Sequence, residues 1–74
     1  MHDEHRPKLF REMVGRKVRM RDDLLTRRGK LIPKGTVCTV YGTWRGLIHV
    51  ENKEIGAHCR RLPPFHVEFL PKDN

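Results

Sequence analysis

Lys17, Arg19 and Arg21 alternate with Val18 and Met20. In an extended chain successive side chains point to opposite faces, so this spacing puts three cations on one face and two apolar residues on the other. Arg27, Arg28 and Lys30 follow closely in sequence, and Arg45 stands beside Trp44, a short step after Tyr41. Cations neutralise phosphates, and aromatic rings offer a face on which a base can stack, so this is the residue chemistry of a nucleic-acid contact. The whole chain points the same way: 16 Lys and Arg against nine Asp and Glu give a formal charge of +7 over 74 residues. A net charge of about 2–8 is also ordinary solubility charge for a small domain, and alternating cations keep a solvent face wet. The excess is uneven. Residues 1–30 hold ten basic and five acidic side chains and residues 31–74 hold six and four, so it centres on the segment carrying the alternating stripe.

Other chemistries find little support. His2, His5, His49, His58 and His66, with Cys38 and Cys59, invite a metal hypothesis, but no Cys-x-x-Cys or His-x-x-x-His pair occurs. Structural zinc sites normally show such close pairs. His58 and Cys59 are adjacent, so on a strand they point to opposite faces. No nucleophile elbow, phosphate-binding loop, dinucleotide fingerprint or paired acid cluster is present. The expectation is a non-catalytic protein with no cofactor and no metal. Two cysteines are too few for a disulfide scaffold and stand where small apolar residues fit, which predicts reduced core thiols. The start of the chain lacks an apolar signal segment, and no run of apolar residues is long enough for a transmembrane helix; both favour a cytoplasmic location.

The elements that must position these residues are short. Residues 1–6 read as a disordered polar tail. Residues 7–13 predict one or two helical turns, with Pro7 at the first position and Leu9, Phe10 and Met13 on one side; Gly15 ends the piece. Such a segment is too short to be stable alone and has to dock on the rest. Residues 16–21 are the first strand. Residues 22–35 form a long irregular connection with Leu24, Leu31 and Ile32 as apolar anchors. It ends in the turn Pro33-Lys34-Gly35. Thr36–Tyr41 is the second strand, Gly42–Gly46 a turn, Leu47–Glu51 the third strand, Asn52-Lys53 a tight hairpin turn, and Glu54–Arg60 the fourth strand. Leu62-Pro63-Pro64-Phe65 cannot continue a ladder, since proline lacks the N–H, and predicts a 3₁₀ turn before a last strand at His66–Phe69. One domain is expected, with a polar tail and short extension over 1–14, the folded body over 15–70 and a C-terminal tail over 71–74.

This order of elements resembles the SH3-like barrel. The connection at 22–35 is similar to the RT loop, Gly42–Gly46 to the n-Src loop and Asn52-Lys53 to the distal hairpin. Ile32-Pro-Lys-Gly-Thr-Val-Cys-Thr-Val is similar to the second-strand pattern of these barrels, and Pro63-Pro64-Phe65-His66-Val67 to their 3₁₀ turn and last strand. The resemblance implies an all-β, five-stranded barrel with a short N-terminal helical or irregular extension. The chain departs from the proline-peptide-binding SH3 domains. Arg19-Met20-Arg21-Asp22-Asp23-Leu24 stands where those carry an Ala-Leu-Tyr-Asp-Tyr motif, the long loop is basic rather than acidic, and His66 stands at a position where a groove tyrosine is usual. It looks more like small bacterial and phage-borne SH3-like proteins, and other SH3-like barrels bind RNA, DNA or ribosomal partners.

The expected core is Val18, Met20, Ile32, Cys38, Val40, Val50, Leu62 and Val67, with Ile55 beside it. The leading functional reading is a binding module that engages nucleic acid through Lys17, Arg19, Arg21, Arg27, Arg28, Lys30, Tyr41, Trp44 and Arg45. In the resemblance the long loop and the n-Src-like turn flank one groove. The alternative is a protein-interaction adaptor using that groove or an apolar patch of Leu9, Phe10, Met13 and Phe65. The chain is expected to be a monomer or a weak homodimer.

Overall fold

Alternation of burial builds the sheet. Val18 and Met20 on strand β1 (Lys17–Met20) are buried while Lys17 and Arg19 are exposed, and the same period runs through Cys38 and Val40 on β4 (Val37–Trp44) and Ile48 and Val50 on β5 (Leu47–Asn52). The computed structural model describes residues 3–72. Two further strands, β6 (Ala57–Leu62) and β7 (Val67–Phe69), complete one antiparallel sheet of order β6-β5-β4-β1-β7. A two-stranded ribbon, β2 (Leu24–Leu25) with β3 (Leu31–Ile32), occupies the connection between β1 and β4. The expected all-β class is therefore found. The closed barrel is not: among the described residues no ladder joins β6 to β7, so the sheet has two edges.

All eight expected core residues are buried, and Ile55 packs against them. Met13, Ile48, Ala57 and Phe69 join the cluster. Every inward side chain removed from water contributes about 25 cal/mol per Å² of apolar surface, which holds the register against a slip that would turn the core face outward.

Several local expectations are corrected. Residues 3–6 are placed rather than loose: the Phe69 N–H donates to Asp3 Oδ2 at 3.0 Å, and an Arg16 guanidinium N–H donates to the His5 carbonyl at 3.3 Å. The Asp3 carboxylate thus satisfies a backbone donor of edge strand β7, which has a neighbouring strand on one side only. His2 lies outside the described residues. The N-terminal extension is a single 3₁₀ turn at Phe10–Glu12, too short for Pro7 to start a helix. It does dock, through buried Met13 and half-buried Phe10, but Leu9 is exposed. In the long connection Ile32 is buried and Leu24 packs on the core, whereas Leu31 faces solvent. The 22–35 segment is also more regular than expected, because Thr26 closes a hairpin: its N–H donates to the Lys30 carbonyl at 2.8 Å and its Oγ1 accepts from the Lys30 N–H at 3.1 Å.

Two of the turns match their sequence readings and two differ in length. Pro33-Lys34-Gly35 turns as expected, with the Thr36 N–H donating to the Pro33 carbonyl at 3.1 Å and Gly35 at φ 89°. The β4–β5 turn is tighter than Gly42–Gly46. Strand β4 runs on to Trp44, which pairs with Leu47 across the two-residue turn Arg45-Gly46. The β5–β6 turn is wider than Asn52-Lys53 and spans residues 53–56. There Asn52 acts three times: Oδ1 accepts from the Ile55 N–H at 2.9 Å, Nδ2 donates to the Val37 carbonyl at 2.9 Å, and its carbonyl accepts from the Gly56 N–H at 2.9 Å. The last expected 3₁₀ turn is present at Pro64–His66, leading into β7.

Candidate nucleic-acid interface

Two bulges shape the outward face of β4, β5 and β6. The first falls between Val40 and Gly42, so that both Tyr41 and Gly42 stand on the outer side and Gly42 pairs with His49. The second falls on β6, where the register against β5 shifts between Val50 and Ile48. Arg61 occupies it with φ 58°. The freed Arg61 N–H donates to His49 Nδ1 at 3.1 Å, so the ring of His49 accepts what the ladder no longer can. Gly42 makes room for that ring, since a Cβ at position 42 would lie 3.1 Å from His49 Cδ2.

This arrangement gathers an aromatic and cationic cluster. Tyr41 and His49 have ring centroids 5.6 Å apart. Trp44, 43% exposed, carries the Arg61 guanidinium at 4.6 Å and the Arg45 guanidinium at 5.1 Å from its ring centroid. Both contacts lie within the ~6 Å range of a cation–π interaction. Phe10 approaches the turn from below: a Cβ on Gly46 would lie 3.9 Å from the tip of its ring. Arg45 has φ 47° and Gly46 φ 82°. Positive φ at both central positions marks a type I′ turn, normally filled by Asn or Gly. Among the described residues, Arg45 and Arg61 are the two non-glycine residues with left-handed backbone, and both rest on the same tryptophan. Holding an L-residue there costs about 1–2 kcal/mol.

The remaining sequence-nominated residues are dispersed. Arg19 reaches Glu68 at 3.5 Å, both side chains being about half exposed. Arg21 donates from Nε to the Val67 carbonyl at 3.0 Å and stands 3.9 Å from Asp3, beside a cavity of about 170 Å³ also lined by Arg6, Pro64 and Phe65. Lys17 lines a shallow groove of about 410 Å³ with Thr39, Glu51 and Glu54. Lys30 donates from Nζ to the Ile55 carbonyl at 3.2 Å, in the loop after Asn52. Asn52 and Trp44 lie at opposite ends of the β4–β5 ladder, so Lys30 does not join the tryptophan cluster. Arg27 and Arg28 are exposed at the tip of the ribbon. Of the nine nominated residues, the contacts bring together Trp44 and Arg45, with Tyr41 joined to them through His49 and Arg61.

Arg61 and His49 were not nominated from sequence. A signal existed. Cys59 faces Val50 and Leu62 faces Ile48, both inward, yet they are an odd number of residues apart. Only a bulge between them allows that parity, and its extra residue is thrown outward.

The thiols offer no reactive centre. Cys38 is buried on β4 and Cys59 half-buried on β6, with β5 between them. Burial pushes the Cys38 thiol up, with the Cys59 thiol adding to it, and burial pushes Cys59 up as well. Thiolates, the nucleophilic form, are disfavoured at both. Among the described residues no three His, Cys, Asp or Glu side chains come together in a set able to hold a metal ion, and no helix is long and apolar enough to cross a membrane.

No known family, curated protein or solved structure matches this chain, so the reading of its function stands on its own geometry.

Proposed function

We propose that this chain is a non-catalytic nucleic-acid-binding module built on a partly open SH3-like fold. The fold reading is supported by the order β7-β1-β4-β5-β6 and by the sequence of connections: a long one with its own ribbon, a tight turn, a wider loop and a 3₁₀ turn before the last strand. The functional reading is carried by one observation. The exposed ring of Trp44 carries the guanidiniums of both Arg45 and Arg61, and among the described residues neither guanidinium has a carboxylate partner. The net charge of +7 adds attraction for a polyanion.

Amide NMR titration with short oligonucleotides at about 50 and 200 mM salt tests it, since phosphate-driven binding weakens steeply between those concentrations. Shifts centred on Tyr41–Leu47, His49 and Arg61 that fade with salt are expected. No shifts at low salt would overturn the reading and turn attention to the protein-adaptor alternative, for which exposed Leu9, Val14 and Phe65 are the apolar contacts at hand.

A further inference from the structure

The cluster has a property that a merely basic surface lacks: its cations rest on a π-face instead of on carboxylates. A guanidinium over an exposed ring is held weakly and is easily exchanged for another flat group. A nucleobase is such a group. It stacks on tryptophan whatever its sequence, because every base has a π-face. Once displaced, a guanidinium on this turn or bulge remains beside the ring, within reach of the phosphates that flank a stacked base, and its planar fork suits a phosphate oxygen pair. Inside a duplex both faces of each base are already covered by its neighbours, so away from the duplex ends this exchange is open only to unpaired bases.

The backbone tells the same story. A type I′ turn is most easily made with Asn or Gly at its first central position, yet Arg45 is there at φ 47°. The β6 bulge places Arg61 at φ 58°, held by the hydrogen bond from its N–H to His49 Nδ1. Strained positions retained by non-glycine residues concentrate at binding sites, and here both strained side chains converge on one ring.

We propose that Trp44 is a stacking platform for an unpaired base of single-stranded nucleic acid, and that Arg45 and Arg61 move from its ring to the phosphates on either side of that base. This rests on the nucleic-acid reading above and narrows its ligand. His49 is a positioning residue that keeps Arg61 in the bulge.

Trp44 is the chain's one tryptophan, so its fluorescence reports this site alone. A short oligothymidylate, a short oligouridylate and a short blunt-ended duplex are titrated at low and high salt. Quenching of Trp44 by either single strand, with weaker duplex binding that leaves the emission unchanged, supports the proposal; the stronger of the two single strands identifies the sugar preferred. Trp44→Ala, followed by the anisotropy of a dye-labelled strand because this variant has no tryptophan, lowers single-strand affinity about tenfold. Arg45→Gly and Arg61→Gly keep the fold, because glycine suits positive φ, and each lowers the slope of log affinity against log salt by about one. Duplex binding as tight as single-strand binding, with Trp44 emission unchanged by either, overturns the stacking platform and leaves the nucleic-acid reading standing. Unchanged salt slopes in both arginine variants overturn the phosphate role. No binding of any probe at low salt overturns both readings together.

Discussion

Cys38, Val40, Ile48 and Val50 face the core from β4 and β5, while Tyr41, Trp44, Leu47 and His49 face outward from the same two strands. The inner set obeys strict alternation and contains nothing but apolar groups and one thiol. The outer set breaks alternation at the bulge between Val40 and Gly42 and carries rings, one of which holds the Arg45 and Arg61 guanidiniums. One face is held by the removal of apolar surface from water, which any inward side chain of suitable size satisfies. The other is held by particular contacts: a histidine nitrogen that takes an orphaned N–H, a glycine that makes room for a ring, and two left-handed arginines. The difference predicts that the inner face is intolerant of charge and the outer face tolerant of most changes, except those at the few residues that build the bulges.

The most severe test of that contrast is Val40→Asp. Val40 is fully buried and pairs with Val50 at the centre of the sheet. An unpaired carboxylate there costs several kcal/mol, a large part of the stability of a domain this small. Cooperative unfolding is expected to disappear. A variant that melts cooperatively near the wild-type temperature would show that position 40 does not face the core.

That inner face was legible in the sequence, and the reason is physical. Val18 with Met20, and Cys38 with Val40, repeat at the period of a strand, and Pro33-Lys34-Gly35 marks the turn between their strands through the chemistry of its residues. The outer face was legible only in part. Trp44 and Arg45 stand out as an aromatic beside a cation, but the bracketing Gly42 and Gly46 predict a five-residue turn. In the structure Gly42 is a strand residue making room for His49, a tertiary requirement that no local pattern announces. Alternation gives Lys17, Arg19 and Arg21 a common direction but does not announce their partners. Glu68, which takes Arg19, and Asp3, which faces Arg21, lie far away in sequence.

A finer test separates strain from contact at the bulge. Arg61→Ala loses the Trp44 stack and keeps the left-handed strain. Arg61→Gly loses the stack and relieves the strain. The glycine variant is therefore expected to be about 1 kcal/mol more stable than the alanine variant in denaturant unfolding, the reverse of their order at an ordinary strand position. Equal stabilities would mean that position 61 does not hold a left-handed conformation in solution. Gly42→Ala acts on the same bulge from the other side. Its Cβ would push against the His49 ring at 3.1 Å and loosen the bond from the Arg61 N–H. The gain from replacing a flexible glycine opposes that loss, leaving a net change under about 1 kcal/mol. The Arg61 amide is expected to exchange with solvent faster; an unchanged rate would remove Gly42 and His49 from the account of the bulge.

The smallest effect is expected on the other half of the outer face. Arg19 on β1 pairs with Glu68 on β7 at 3.5 Å, with both side chains about half exposed. Such pairs contribute about 0–1 kcal/mol, because solvent screens the attraction and two long side chains lose freedom to make it. Arg19→Ala is expected to change stability by less than about 0.5 kcal/mol and to leave oligothymidylate binding within about twofold of wild type, since its charge is already balanced by Glu68. Arg45→Ala, by contrast, removes a cation that has no carboxylate partner among the described residues, and should weaken that binding and flatten its salt dependence. The two variants remove the same charge from the same outward surface. If they weaken binding equally, net charge alone recruits the ligand and the tryptophan cluster has no special part in it. If only Arg45→Ala does so, recognition belongs to the cations whose neighbour is an aromatic ring.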